Sequence, residues 1–375
     1  MSSGQQDLPR WIDVGVVPLV NLAIALLVAG IVVALVGESP TKVLSALIKG
    51  ALGTQRGLSY TLYYATTFVF TGLAVAVAFH AGLFNIGGEG QAMMGGLGAG
   101  LVALWLAPSL PAWAMLPLMV IASGVFAAAW GAVPGYLQAY RGSHIVITTI
   151  MFNFLASTIM VYLLVNVLKP AGEMAPESAP FAASAKMPRV HEALAAIGIA
   201  WPSSPLNMSI VLALLACIMV YLLLWKTRMG YQIRASGASP GAAEYAGISP
   251  QKQIITAMAI SGALAGMVAM NEVAGVHNKL LTDFVAGAGF TGIAVALMGR
   301  NHPVGIILSS LLFGMIFQGG AEVAFEVPGF TKDMVVMLQG FIVLFSGALA
   351  YVFAPLIAKL YFRVKADSPA LQGAV

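Results

Sequence analysis

Asn85, Glu89 and Gln91 stand close together in the run NIGGEGQ, and Thr148, Thr149 and Asn153 follow in ITTIMFN. The stretches around them are almost wholly apolar. Polar side chains set into apolar spans are costly to bury and tend to serve function. Asparagine and glutamine donate and accept hydrogen bonds together, which suits the edges of a nucleobase, and a ribose would use similar groups. These six residues are therefore candidates for lining the path of a polar solute. Thr149 and Asn153 are four apart and share a helical face. Glu89 has two readings, a solute contact or a cap on the helix that starts near Gly90, where the helix dipole favours an acid. Phe84 and Phe152 can stack on a ring or simply pack.

Other chemistries have little support. His80, His144, His191, His277 and His302 are scattered, with no H-E-x-x-H and no Cys/His ligand spacing, so neither a metal site nor a cofactor is expected. No Ser/His/Asp arrangement is identifiable, so an intramembrane enzyme lacks a catalytic set. The only cysteine, Cys217, lies in an apolar run and reads as a small hydrophobe. There is no G-x-x-x-x-G-K-[ST] phosphate loop, so the chain is not itself an ATP motor.

The elements that must position these residues are membrane spans. Of the 375 residues, 59% are hydrophobic and 9% charged, with a mean hydropathy of +0.90. A soluble domain carries about 25% charged residues. The reading is an all-α polytopic membrane protein, one transmembrane domain over 1–375, with about ten spans of roughly 20 residues. They are placed at 16–36, 58–79, 92–107, 113–133, 145–168, 207–225, 254–273, 284–299, 303–320 and 334–354. The first reads as an uncleaved helix, since nothing after it resembles a cleavage site. Segment 38–57 is a surface stretch. Segment 169–206 holds Pro170, Pro176, Pro180, Pro188, Pro202 and Pro205 and cannot be one helix. Bases clustered at 226–252 and 359–365 put those segments, and both termini, on the cytoplasmic side. The net charge of +4 reflects that topology rather than nucleic-acid binding. Glu272, His277, Asp283, Glu322, Glu326 and Asp333 then fall at outer span ends.

The third and eighth spans are short, about 16 residues or 24 Å, and glycine-rich. Each is second in a block of four spans, 58–168 and 254–354. Five helices separate equivalent positions, so the blocks form an inverted repeat. Paired, glycine-interrupted short segments point to a central translocation pathway. Close helix packing through small residues explains the same glycines.

Residues 226–253 contain a capped short helix. Ser239-Pro240 is an N-cap and first-turn signal, and Gly247 fits the position that stops the helix. Ser249-Pro250 restarts a helix into the next span. A short surface helix on the basic side can dock into a groove on a soluble partner, with Ala242, Ala243 and Ala246 letting it sit deep.

The run GYQIRASGASPGAAEYAGI, with GLFNIGGEGQ at 82–91, resembles permeases of the ribose/simple-sugar and nucleoside branch of ABC importers. Asn85–Gln91, and Arg141-Gly142 followed by VITTIMFN at 146–153, are similar to the nucleoside-type members. The resemblance implies a type II importer fold in a bacterial inner membrane. It also implies a second, related permease, cytoplasmic ABC ATPases that hydrolyse ATP, and an extracytoplasmic substrate-binding lipoprotein. The expected ATPase contacts are Arg234, Ala235, Gly237, Ala242, Ala243, Gly247 and Ile248. A simple-sugar permease is the nearest alternative. An ion-coupled carrier, with Glu89 or Glu272 as its coupling carboxylate, is a further one, and needs no docking helix.

Overall fold

The computed structural model describes Pro9, residues 16–327, Thr331, 334–337, Gly340, Phe341, Ala358 and Tyr361. Among these residues it is all-helical, with no strand beyond isolated bridges. The expected span at 334–354 lies largely outside the described residues, as do Arg10, Asp333, Lys359, Arg363 and Lys365. The chain forms two compact units, one of Met1–Leu47 with Gly320–Val375 and one of Ile48–Gly319.

In the first unit α1 (Val17–Leu35) buries Ala25, Ala29 and Val33, four apart and so on one face. The start of α2 (Pro40–Leu52) meets it where Gly30 leaves room for the Pro40 ring. The surface stretch expected at 38–57 is thus mostly helix, with Lys42 and Lys49 exposed.

The second unit is built around α3 (Gln55–His80), capped by Thr54 Oγ1, which accepts the Gly57 N–H at 2.9 Å. With it in this unit are α8 (Ser209–Lys226), which packs on α3, and α4 (Gly88–Leu106), which packs on α5 (Ala112–Arg141) and α6 (Ile145–Leu163). The same unit contains α11 (Pro250–Gly266), α12 (Val268–Glu272), α13 (Ala288–Met298) and most of α14 (Pro303–Glu326). Single π-helical turns, Leu164–Leu168 and Val273–His277, extend α6 and α12. Six of the described helices are long and apolar enough to cross a membrane: Gln55–His80, Ala112–Arg141, Ile145–Leu168, Ser209–Lys226, Pro250–His277 and Pro303–Glu326.

Small residues let α4, α5 and α11 approach closely. Ser123 Oγ donates to the Gly266 carbonyl at 2.6 Å. A Cβ added at Gly131 would lie 2.6 Å from the Met258 carbonyl oxygen, and one at Gly95 would lie 2.9 Å from that of Gly266. The packing explanation for the glycines therefore holds on α4.

The two short spans differ from expectation. The third begins at Gly88 and runs 19 residues, so Gly82 and Gly87 precede it as the introducing glycines, while Gly88 and Gly90 lie inside its first turn. The eighth has only 11 residues, about 16 Å, because Ala286 (φ 50) and Gly287 (φ 81) are left-handed and block helix before Ala288.

Residues 169–206 form no continuous helix, only a 3₁₀ turn at Ala183–Ala185 and α7 (Val190–Ala196). This segment is strapped to the chain beyond α12. Ser178 N–H donates to the Leu280 carbonyl at 2.9 Å, Met187 N–H to that of Ala274 at 2.9 Å, and Lys279 pairs with Glu177 at 2.6 Å.

The 226–253 stretch holds two helices. The capped one is α10 (Pro240–Tyr245). Ser239 Oγ accepts the Ala242 N–H, and left-handed Gly247 (φ 76) closes it, with Gly247 N–H on the Glu244 carbonyl and Ile248 N–H on that of Ala243. These are the paired bonds of a Schellman C-cap. The other, α9 (Arg228–Ala238), was not foreseen; its N-cap is Thr227, whose Oγ1 accepts the Gly230 N–H at 3.1 Å.

Candidate functional site

The glycine-rich break at 82–90 follows from how α3 ends. Gly82 is left-handed (φ 73), with its N–H on the Phe79 carbonyl and the Leu83 N–H on that of Ala78. This C-cap ends α3, and the next residues form no helix until α4 starts at Gly88.

Asn85, Gln91, Thr149 and Asn153 hold this break. Asn85 Oδ1 accepts the Gly87 N–H at 2.8 Å, while its Nδ2 donates to Gln91 Oε1 at 2.9 Å and Ser261 Oγ at 2.8 Å. Ser261 Oγ donates in turn to the Ala74 carbonyl on α3 at 2.6 Å. Asn153 bridges the break from α6: Oδ1 accepts the Gly90 N–H at 2.9 Å and Nδ2 donates to the Ile86 carbonyl at 3.0 Å. Thr149 Oγ1 bonds the Ile145 carbonyl and accepts the Ile86 N–H at 3.4 Å. All four side chains are buried. Thr148 is not with them; it is half-buried, with its hydroxyl on the His144 carbonyl of its own helix. Phe84 lies edge-on to Phe79, and Phe152 packs against Trp130.

Glu89 caps a helix, but not its own. Its Oε1 accepts the Gly287 N–H and its Oε2 the Gly289 N–H, each at 2.8 Å, so it caps α13 from across the unit. The N-terminal N–H groups of a helix have no partner within it, and the dipole there favours an acid. Glycine makes the approach possible. A Cβ on Gly289 would lie 2.6 Å from Glu89 Cα and 2.7 Å from the Gly88 carbonyl carbon, both backbone. The two glycine-rich breaks, distant in sequence, thus meet backbone to backbone with one carboxylate between them.

A second polar cluster escaped the sequence reading. Glu272, expected at an outer span end, is buried, because the helix continues past it through the π turn to His277. Its carboxylate accepts bonds from Tyr63 Oη, from Thr67 Oγ1 at 2.7 Å and from Asn271 Nδ2 at 3.4 Å. Asn271 Oδ1 accepts from Asn207 Nδ2 at 2.9 Å and Ser209 Oγ at 2.8 Å, tying α3, α12 and the start of α8 together. Tyr63 and Thr67, four apart in an apolar helix, were the available signal. Of the other expected rim acids, Asp283 and Glu326 are exposed.

The residues expected to meet an ATPase divide. Of them Ala242 and Gly247 are exposed, as are their neighbours Gly241, Glu244 and Ala246, and Tyr245 is 98% exposed. Ala243 and Ile248 are buried in their own chain, which corrects the expectation that Ala243 faces a partner. They occupy the two positions of a Schellman cap whose side chains usually touch. Arg234 is tied down, with Nε donating to the Leu224 carbonyl at 3.0 Å, Ala235 is half-buried, and Gly237 packs against the C-cap of α3.

Residues 57–347 match the family described as branched-chain amino acid transport system / permease component. The guanosine ABC transporter permease protein NupP of Bacillus subtilis (strain 168) is 33% identical over 92% of this chain and 97% of its own length. The nucleoside ABC transporter permease protein NupB of Lactococcus lactis subsp. cremoris is 34% identical over 84% of this chain and 85% of its own. The glucose ABC transporter permease protein TsgB13 of Haloferax volcanii is 33% identical over 91% and 89%. No solved structure matches significantly. A multi-pass helical chain, matched over most of its length both to that family and to ABC transporter permeases, belongs to the branched-chain amino acid transport system / permease component family.

Proposed function

We propose that this chain forms the translocation pathway of an ATP-driven importer of a nucleoside, in a cytoplasmic membrane, as a single transmembrane domain. The observation that carries the cargo is the likeness, over most of both chains, to two permeases named for guanosine and for nucleosides. The pathway runs by the meeting point of the two breaks. Asn85, Glu89, Gln91, Thr149 and Asn153 shape its wall by fixing the backbone there, and Thr148 lies to one side. The ten-span, inverted-repeat arrangement is part of this reading, supported by the convergence of the two glycine-rich elements. So are separate ATPases, one of them docking on α10, a second permease and an extracytoplasmic binding lipoprotein. The glucose-named relative favours one rival, a simple sugar as cargo.

The test is transport in proteoliposomes holding this chain with its cognate ATPase, second permease and binding lipoprotein. ATP-dependent uptake of radiolabelled guanosine is expected. Uptake of glucose or ribose but not of nucleosides would move the assignment to sugars.

Both termini and α9–α10 face the cytoplasm in this scheme, and 169–206 faces outward. Met174 is 97% exposed and Glu244 is exposed, so each suits a reporter cysteine. In a Cys217→Ala background, Met174→Cys should react with an impermeant maleimide added outside intact cells. Glu244→Cys should react only after permeabilisation. Labelling of both from one side would overturn the map.

A further inference from the structure

We propose that Gly237 is a positioning residue that passes displacement of the docking helix α10 to the paired glycine breaks. The proposal rests on the ATP-driven reading above. Only Ser239 separates α9 from α10, and it belongs to both: its N–H bonds the Ala235 carbonyl and its own carbonyl accepts the Ala243 N–H. The two helices therefore form one body at this joint. Gly237, in the last turn of α9, lies directly on the C-cap of α3. A Cβ built on it would be 2.7 Å from the Ala81 carbonyl carbon and from Gly82 N, and closer still to the His80 carbonyl oxygen. From the other side, a Cβ on Gly82 would be 3.0 Å from the Gly237 carbonyl oxygen.

This contact is backbone on backbone. A side-chain contact can absorb a small shift by changing rotamer, whereas close-packed main chain transmits it. The next links are hydrogen bonds from buried side chains to main chain, which have little room to change rotamer. Three residues past Gly82, Asn85 grips Gly87, Asn153 grips Gly90, and Glu89 grips Gly287 and Gly289 at the start of α13. The far end of α13 returns to the same place: His80 Nε2 donates to the Asn301 carbonyl at 3.1 Å, in the left-handed turn that follows α13. Helix α13 is thus braced at both ends on the segment that Gly237 presses. No exposed surface of Gly237 is needed for this role, which accounts for a glycine facing inward in a stretch expected to face a partner.

The first experiment compares Gly237→Ala with the parent in the reconstituted complex, reading ATP hydrolysed per guanosine imported. The ratio should rise by about tenfold, within the usual range of inter-site coupling, while the ATPase copurifies as with the parent. A variant that is merely less stable loses hydrolysis and uptake in proportion, leaving the ratio unchanged, and that result overturns the proposal. Loss of copurification overturns it as well, since Gly237 would then act in docking. A second readout needs no variant. In the parent complex, locking the ATPase with a non-hydrolysable ATP analogue should change hydrogen exchange in peptides covering 80–91 and 286–290. Peptides around 200–209, on the Asn271 network, should not change. Unchanged exchange at 80–91 would sink the proposed route even if Gly237→Ala fails to fold. Should no ATPase bind the parent chain, the ATP-driven reading itself falls, an outcome visible before either comparison.

Discussion

Glu89→Ala is expected to destabilise the folded chain by about 1–3 kcal/mol or more, since it strands one buried backbone donor, at about 1–3 kcal/mol, and one part-buried donor. The Gly287 and Gly289 N–H groups have their acceptors in this carboxylate, and Gly289 is buried against main chain. A helix start buried without acceptors is rarely tolerated. Glu89→Gln keeps one acceptor oxygen and turns an amide toward the second donor, so its effect should fall between alanine and the parent. The measurement is the unfolding midpoint of the detergent-purified permease, with surface substitutions such as Glu326→Ala as the baseline. If Glu89→Ala unfolds at the parental midpoint, the carboxylate is not what joins the two breaks, and its burial needs another explanation.

The same residue shows where sequence reasoning stopped. That NIGGEGQ mattered was legible, because a polar, glycine-dense run inside a chain of +0.90 mean hydropathy needs a reason. That Glu89 caps a helix was also within reach, but which helix was not. A carboxylate next to a helix start looks local on paper, whereas its acceptor geometry is satisfied by residues about two hundred positions away. The α10 caps were legible because Ser-Pro at the start and glycine at the end act through bonds a few residues long. Helix α9 was missed because its sequence, RMGYQIRASGA, has two glycines and little apolar content. Packing of Ile233 and Ser236 holds it instead. Glu272 was misplaced for a related reason. Span ends were set by hydropathy, and a buried acid bonded to Tyr63, Thr67 and Asn271 reads on that scale like a solvated one. The pairing of the glycine breaks was foreseen as a pattern, but the face-to-face contact of Gly88 with Gly289 depends on three-dimensional register that periodicity does not encode.

Tyr245→Ala is expected to weaken binding of the ATPase by about 30-fold or more, the loss of at least about 2 kcal/mol that marks a hot-spot aromatic. Helix α10 is one and a half turns long and closely capped, so it holds its shape without a partner. Apart from Glu244, its other exposed residues are small: Gly241, Ala242, Ala246 and Gly247. From this patch one aromatic side chain projects, that of Tyr245, a residue 98% exposed. A tyrosine left in water on a structured helix covers nothing in its own chain, while seated in a groove it would bury about 150–250 Å². Removing it should leave the fold alone, because surface substitutions away from packed features usually change stability by about 0.5 kcal/mol or less. Ala243→Glu is a poorer probe, since Ala243 is buried against its own chain and a charge there would report folding rather than docking. The measurement is titration of purified ATPase onto tagged permease, alongside its unfolding midpoint. Tyr245→Phe separates ring from hydroxyl and should keep most of the affinity if the ring is the anchor. Parental affinity in Tyr245→Ala would mean the ATPase meets this chain elsewhere, and the docking role of α10 would lose its main structural support.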